Sequence, residues 1–271
     1  MAKAVLTEYT VKSERVRSPL RIALVADLHE RRAVDIINLL REAEPDLIAV
    51  AGDTFERHEE NVYVPRVVKK RRNVFHRAIV NIVFYVNYVL TEFFGRRNRP
   101  NTQNSYSFLR QASAVAPVFL SFGNHERTLT PEDREFYRRY SINVLDNEDI
   151  ETAVNNNFII VGGLSEEPDE AWLYRFSQKD GLRLLLCHNP EYYDSMIRQT
   201  DIDLIVSGHN HGGQIRIFGK GLAGGGGNLF PKYDKGLFDG RLAVSAGCAN
   251  TAAIPRFGNP RELVLIHLIK K

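Results

Sequence analysis

Cysteine is almost absent. The 271 residues hold two, Cys187 and Cys248, each closing an apolar run (LRLLLC and LAVSAGC). A disulfide framework is therefore not expected, and the simpler reading is two small apolar side chains buried at strand ends. A strong charge of one sign is also missing. Thirty-six Lys and Arg against 33 Asp and Glu leave a formal charge of +3, too little for the clustered basic footprint of a dedicated nucleic-acid binder, so no specific nucleic-acid partner is expected. The opening MAKAVLTEYT lacks an apolar core followed by a small-residue cleavage site, so no signal peptide is read and a cytoplasmic location is the expectation. What remains is an ordinary globular composition, 44% hydrophobic and 25% charged, on a chain long enough to bury a large core. One domain over 1–271 is expected, with an insertion at about 58–104.

Short runs rich in Val, Ile and Leu recur: RIALVAD, DLIAVAGD, PVFLSFGN, FIIVGG, LRLLLCH, DLIVSGH, RLAVSAG and ELVLIHLI. Continuous apolar runs of this length read as strands buried on both faces. Helical patterns lie between them. Ala33, Ile36, Ile37, Leu40 and Ala43 fall at helical spacing, Thr130-Pro131-Glu132-Asp133 combines an N-cap, an N1 proline and an acidic first turn, and Asn189-Pro190-Glu191 opens a third helix in the same way. Strands alternating with helices predict an α/β fold with much parallel pairing, and the closer strands of the C-terminal half predict added antiparallel hairpins.

Five of these strands end in a residue able to bind a metal: Asp27, Asp53, Asn124, His188 and His209. Open α/β sheets bind ligands beyond the carboxyl ends of their strands, so these side chains stand where a site is expected. With His29 and His211 they make two Asp, one Asn and four His. Neutral imidazoles and hard carboxylate oxygens suit Mn²⁺, Fe or Zn²⁺, and a shared carboxylate can hold two such ions about 3.5–4 Å apart. Gly52, Gly123 and Gly208 precede ligands and permit sharp turns close to the ions.

The series Asp27-Leu28-His29, Gly52-Asp53, Gly123-Asn124-His125-Glu126, His188 and Gly208-His209-Asn210-His211 resembles the calcineurin-like metallophosphoesterases over residues 21–211. The resemblance implies a four-layer α/β/β/α sandwich with two mixed β-sheets. It also implies a two-metal site in which Asp27, His29 and His211 bind one ion, Asn124, His188 and His209 the other, and Asp53 bridges them. The reaction implied is hydrolysis of a phosphoester by a hydroxide bridging the two metals, with His125 contacting the phosphate and protonating the leaving group. The stretch GHNHGGQIR and the closing Pro255-Arg256 resemble a narrower bacterial phosphodiesterase branch, in which Gly212, Gly213 and Gln214 line the pocket beside His211. The run GLAGGGGNLF (221–230) reads either as a mobile loop near the substrate or as a flexible connector. Arg57 falls where phosphoprotein phosphatases carry a phosphate-clamping arginine, but the arginine those enzymes carry before the later Gly-His is replaced by Ser207. The expectation is therefore a phosphodiesterase, with a phosphomonoesterase or protein phosphatase using Arg57, or a membrane-recruited module whose metal site is only structural, as alternatives.

About seventy residues separate Asp53 from Gly123, more than one strand–helix–strand step needs. The excess holds NVFHRAIVNIVFYVNYVLTEFFG (73–95), with Lys69-Lys70-Arg71-Arg72 before it and Arg96-Arg97-Asn98-Arg99 after it. Between Arg77 and Glu92 the uncharged run falls short of the eighteen or so residues of a spanning helix. A helix lying in a membrane interface, or one packed on the body or on a second subunit, fits the pattern. On the first reading 73–95 makes peripheral contact with the inner face of the membrane, and the substrate is lipid-linked; otherwise it is a small-molecule phosphoester such as a nucleotide.

Overall fold

The computed structural model describes residues 3–57, 100–126, 128–225, 228–252 and 255–271. The insertion read at 58–104, with its 73–95 segment, lies outside these residues except for its last few positions. Among the described residues no helix is long and apolar enough to cross a membrane.

Two six-stranded mixed sheets form the centre. The first contains β1 (Val5–Ser13), β2 (Leu20–Val25), β3 (Leu47–Ala51), β4 (Val118–Ser121), β5 (Asn143–Leu145) and β14 (Glu262–Lys270), in the order β1-β14-β2-β3-β4-β5. Only the β14–β2 pair is antiparallel. The second contains β6 (Glu148–Val154), β7 (Asn157–Leu164), β8 (Leu182–Cys187), β9 (Leu204–Ser207), β12 (Gly236–Phe238) and β13 (Leu242–Val244), in the order β12-β13-β9-β8-β7-β6. Its four central strands are parallel and its two edges antiparallel. A separate hairpin joins β10 (Arg216–Ile217) to β11 (Lys220–Gly221).

Strand periodicity explains why the runs are apolar without alternation. In β2, Ile22 and Leu24 pack into the seam between the sheets, while Ala23 and Val25 pack under helices. In β8, Leu182, Leu184 and Leu186 enter the same seam, and Leu185 and Cys187 face the opposite layer. Helices α1 (Val34–Ala43), α2 (Thr102–Ser113) and α3 (Pro131–Arg139) lie on the outer side of the first sheet, and α4 (Glu170–Ser177) on that of the second. The result is the expected α/β/β/α sandwich.

Helix α3 starts at the cap read in the sequence: Thr130 Oγ1 accepts from Asp133 N at 3.1 Å and Asp133 Oδ2 from Thr130 N at 2.9 Å. The helix expected after Asn189-Pro190-Glu191 is corrected to one short π-type turn, Tyr193–Ile197, although Asn189 Oδ1 does accept from Glu191 N. Strand β1 was not anticipated. Its residues alternate between exposed and part-buried along most of its length, so it gives no continuous apolar signal. Both cysteines are buried thiols.

The seam carries much of the stability. Leu184→Ala, at a fully buried seam position, is expected to cost about 3 kcal/mol, read as a lower urea midpoint at unchanged m-value.

Candidate metal centre

The carboxyl ends of strands from both sheets meet at one rim of the sandwich. Asp27 and His29 follow β2, Asp53 follows β3, Asn124 follows β4, His188 follows β8, and His209 and His211 follow β9. The turns are tightly wound: Asp27, His29, Asp53, His209 and His211 all have φ between 47° and 73°. Left-handed backbone at a non-glycine residue costs on the order of 1 kcal/mol and persists only where surrounding contacts fix it. Here the turns are stitched together. His29 N donates to Asp53 O, Gly208 N to His188 O, His209 N to Asp27 Oδ1 and His125 N to Asp53 Oδ1. A Cβ on Gly123 would sit 2.1 Å from Asp53 Oδ1, so only glycine lets this turn approach.

Asp53 occupies the middle. Its Oδ2 lies 3.1 Å from His188 Nε2, 3.5 Å from His29 Nε2 and 3.9 Å from His125 Nε2. On one side Asp27, His29 and His211 place ligand atoms within 4.8 Å of one another. On the other, His209 Nδ1 lies 2.8 Å from Asn124 Oδ1 and 3.3 Å from His188 Nε2. Burial raises the cost of a charge on Asp53, but His188, His29 and His125 outweigh it and hold the carboxyl well below its usual range. Burial keeps His211 neutral, helped by neighbouring His29 and Arg256. Asp27 Oδ2, His29 Nε2 and His211 Nδ1 are buried without a hydrogen-bond partner among the described residues. Buried polar atoms are normally satisfied, and a carboxylate oxygen with two imidazole nitrogens left open at one point is a donor set that fits a divalent cation.

Two carboxylates organise the rim. Glu126, fully buried, accepts from the backbone N–H groups of Gly123, Asp53, Thr54 and Phe55 at 2.8–3.0 Å, locking the Asp53 turn to the Asn124 turn. Burial and the nearby Asp53 push it up to about 7. Glu56, which sequence reasoning missed, places Oε1 2.9 Å from His29 Nδ1 and Oε2 2.8 Å from His125 Nδ1. Burial disfavours its charge, yet the two imidazoles hold it below its normal range. Its only sequence signal is its place three residues after Asp53.

Arg57, read in the sequence at the place of a phosphate clamp, is engaged by two carboxylates. Its Nε and Nη2 donate to the Asp133 carboxylate at 3.0 and 2.9 Å, and Nη1 to Glu30 Oε1 at 2.8 Å. The guanidinium thus binds the start of α3 to the loop after His29. Gly212 and Gly213 are buried with positive φ, packed against Asn259 and Gly221, and Asn259 Nδ2 donates to His211 O. Gln214 donates to Asn250 Oδ1. The glycine-rich run is partly anchored: Gly225 N donates to Asn210 Oδ1, and a Cβ on Gly225 would meet His209 O at 2.4 Å.

The family model described as calcineurin-like phosphoesterase matches residues 20–213. Among curated proteins, the chain is 25% identical over 93% of its length to 82% of the uncharacterized protein YpbG of Bacillus subtilis. It is 28% identical over 74% of its length to 63% of the phosphodiesterase YaeI of Escherichia coli. Among solved structures, the sulfate thiohydrolase SoxB of Thermus thermophilus aligns with TM-score 0.46 and 13% identity, over 86% of this chain and 42% of that one.

Arg57→Ala separates a structural tie from a phosphate clamp. Because Asp133 keeps Tyr106 and Thr130 as partners, the loss is expected at the low end for a broken buried pair, about 3 kcal/mol. The rate per folded molecule on p-nitrophenyl phosphate should stay within about threefold of wild type, whereas loss of a phosphate-clamping charged hydrogen bond would cost more than tenfold.

Proposed function

The chain belongs to the calcineurin-like phosphoesterase family, a hydrolase acting on phosphoester bonds, and from that premise we propose that it is a phosphodiesterase working at a two-ion centre. The observation that carries the reading is the Asp53 carboxylate standing between two ligand groups, each drawn from both sheets. Asp27, His29 and His211 would hold one divalent ion, Asn124, His188 and His209 the second, and Asp53 would belong to both. When bound, such ions polarise a phosphoryl oxygen and lower the pKa of water, whether they are Mn²⁺, Fe or Zn²⁺.

The chain's own groups supply orientation and a proton. His125 is the partly exposed imidazole at the rim, with its side chain 25% accessible, while Glu56 fixes its ring through Nδ1 and leaves Nε2 directed toward Asp53. Burial alone would lower its pKa, but Glu56 and Asp53 raise it, which suits donation of a proton to a departing alkoxide. Gly212, Gly213 and Gln214 belong to the substrate side of the proposal. Engagement of Arg57 by Asp133 and Glu30 weighs against a monoesterase, and the relative YaeI, whose name is phosphodiesterase, supports the diester reading. The cytoplasm is the proposed location.

Metal analysis of protein reconstituted with Mn²⁺ is expected to give about two ions per chain, and chelation to abolish hydrolysis of bis-p-nitrophenyl phosphate. Asp53→Asn should lose the activity, and a marked preference for p-nitrophenyl phosphate would reject the diesterase assignment. For His125→Ala the expected loss is about 10²–10³ in kcat on a diester with an alkyl alcohol leaving group, and distinctly less with p-nitrophenolate, which departs without a proton. Equal losses would assign His125 to phosphate binding alone. Glu56→Gln removes the charge that raises the His125 pKa, so the alkaline limb of the pH–rate profile should move to lower pH.

A further inference from the structure

Among the described residues, three of the four exposed phenylalanines belong to one platform beside the metal centre. Phe218 is 101% exposed, Phe257 70% and Phe230 67%, with Ile217 at 46% among them. The β10–β11 hairpin turns at Phe218-Gly219, both with positive φ. Phe257 O accepts from Arg216 N at 2.8 Å, which lays the 257 segment along one side of β10. Phe230 N donates to Leu222 O at 3.0 Å, which lays the 230 segment beside the continuation of β11. Adjoining backbones in such pairing stand about 5 Å apart, so these apolar side chains leave the surface from neighbouring chain segments.

The exposed charge nearest the tip is a cation: Asp234, behind the hairpin, is buried and neutralised by Arg216 at 2.9 Å, and Glu191 lies at the far flank, against Asn228. Residues 204–233 and 240–261, which supply the whole platform, contain no Asp or Glu in a chain that has 33 of them. Lys220 stands exposed two residues from Phe218. A contiguous exposed apolar patch marks an interaction surface, and aromatic side chains beside a cation match the boundary between acyl chains and anionic headgroups. A second copy of the chain fits less well. Pairing this patch with itself would bring Lys220 toward its own copy, and four side chains on and beside one hairpin fall short of the roughly 800 Å² per partner of a stable dimer.

We propose that the Phe218 hairpin docks this protein on the surface of an anionic phospholipid bilayer, with Phe218 entering the interface and Lys220 meeting lipid phosphates. The hairpin is joined to the ligand turn: Arg216 Nη1 donates to Gly212 O at 3.1 Å and Leu222 N to Gly213 O at 3.1 Å. Docking therefore holds the rim of the metal centre near the headgroup plane. Resting on the phosphodiesterase reading, the substrate class reached is a lipid phosphodiester; the docking itself does not rest on it.

The test is flotation of the full chain with vesicles of phosphatidylcholine alone or containing phosphatidylglycerol. Wild type is expected to float with the anionic vesicles, and the Phe218→Ser/Phe257→Ser variant to bind at least about tenfold more weakly with unchanged turnover of bis-p-nitrophenyl phosphate. A second measurement places a reporter at the tip. Native Trp172 is buried, so wild type sets the background, and F218W emission should shift blue and be quenched by brominated acyl chains. Asp53→Asn should bind vesicles as wild type does, which separates failure of docking from failure of hydrolysis. Equal flotation of wild type and the serine variant, or F218W emission indifferent to brominated lipid, overturns the proposal. Self-association abolished by Phe218→Ser, without vesicle binding, overturns it in favour of a second copy.

Discussion

The rim of this sandwich depends on one buried carboxylate. Asp53 lies just past the end of β3 with its side chain 2% exposed, and the two imidazoles nearest its Oδ2, those of His29 and His188, come from opposite sheets. A carboxylate removed from water costs several kcal/mol unless opposite charge and hydrogen-bond donors surround it. The imidazoles meet that requirement, and they can do so only if the two sheets present their carboxyl ends at the same height. The seam of Leu24, Ala49, Leu184, Leu186 and Val206 below sets that height. The apolar seam and the polar rim are thus two halves of one constraint.

Fixing the rim costs conformational strain as well as desolvation. Five candidate ligands carry left-handed backbone, which an unsupported loop would relax. Glu126 supplies the counterweight by gathering four backbone N–H groups from two turns, and Gly123 permits the approach that brings those turns within reach. Strain of this kind, retained under heavy hydrogen bonding, is what a preorganised site requires. The Arg57–Asp133–Glu30 tie does similar work one layer out, anchoring α3 to the loop that follows His29.

Much of this was legible in the sequence, and the boundary of legibility has a physical origin. Strands buried on both faces are continuous apolar runs, and a polar residue just past such a run stands at a sheet rim, so the gathering of the candidate ligands from Asp27 to His211 at one rim could be read from the sequence. Strands β1, β5 and β6 could not, because edge strands are short or half exposed and their composition resembles loop. Glu56 and Arg57 show the other limit. They are adjacent charged residues in one loop, and nothing local says that the first faces His29 and His125 while the second faces Asp133, seventy-six positions away in the chain. Where a side chain is consumed depends on long-range partners, which is why the sequence position of Arg57 suggested a phosphate clamp and said nothing of its Asp133 and Glu30 partners.

The same distinction bears on the C-terminal glycines. Their letters suggest a flexible lid or linker, yet Gly225 packs on the His209 backbone and Asn210 holds it there, while Gly213 accepts the hydrogen bonds that seat the Phe218 hairpin. Glycine here supplies close approach more than freedom, and it couples the exposed hairpin to the ligand turn through backbone contacts with little slack. A surface that engages Phe218 therefore acts on a segment tied directly to His211. The orientation of the metal centre toward whatever Phe218 touches is set by the fold and needs no conformational change to establish it.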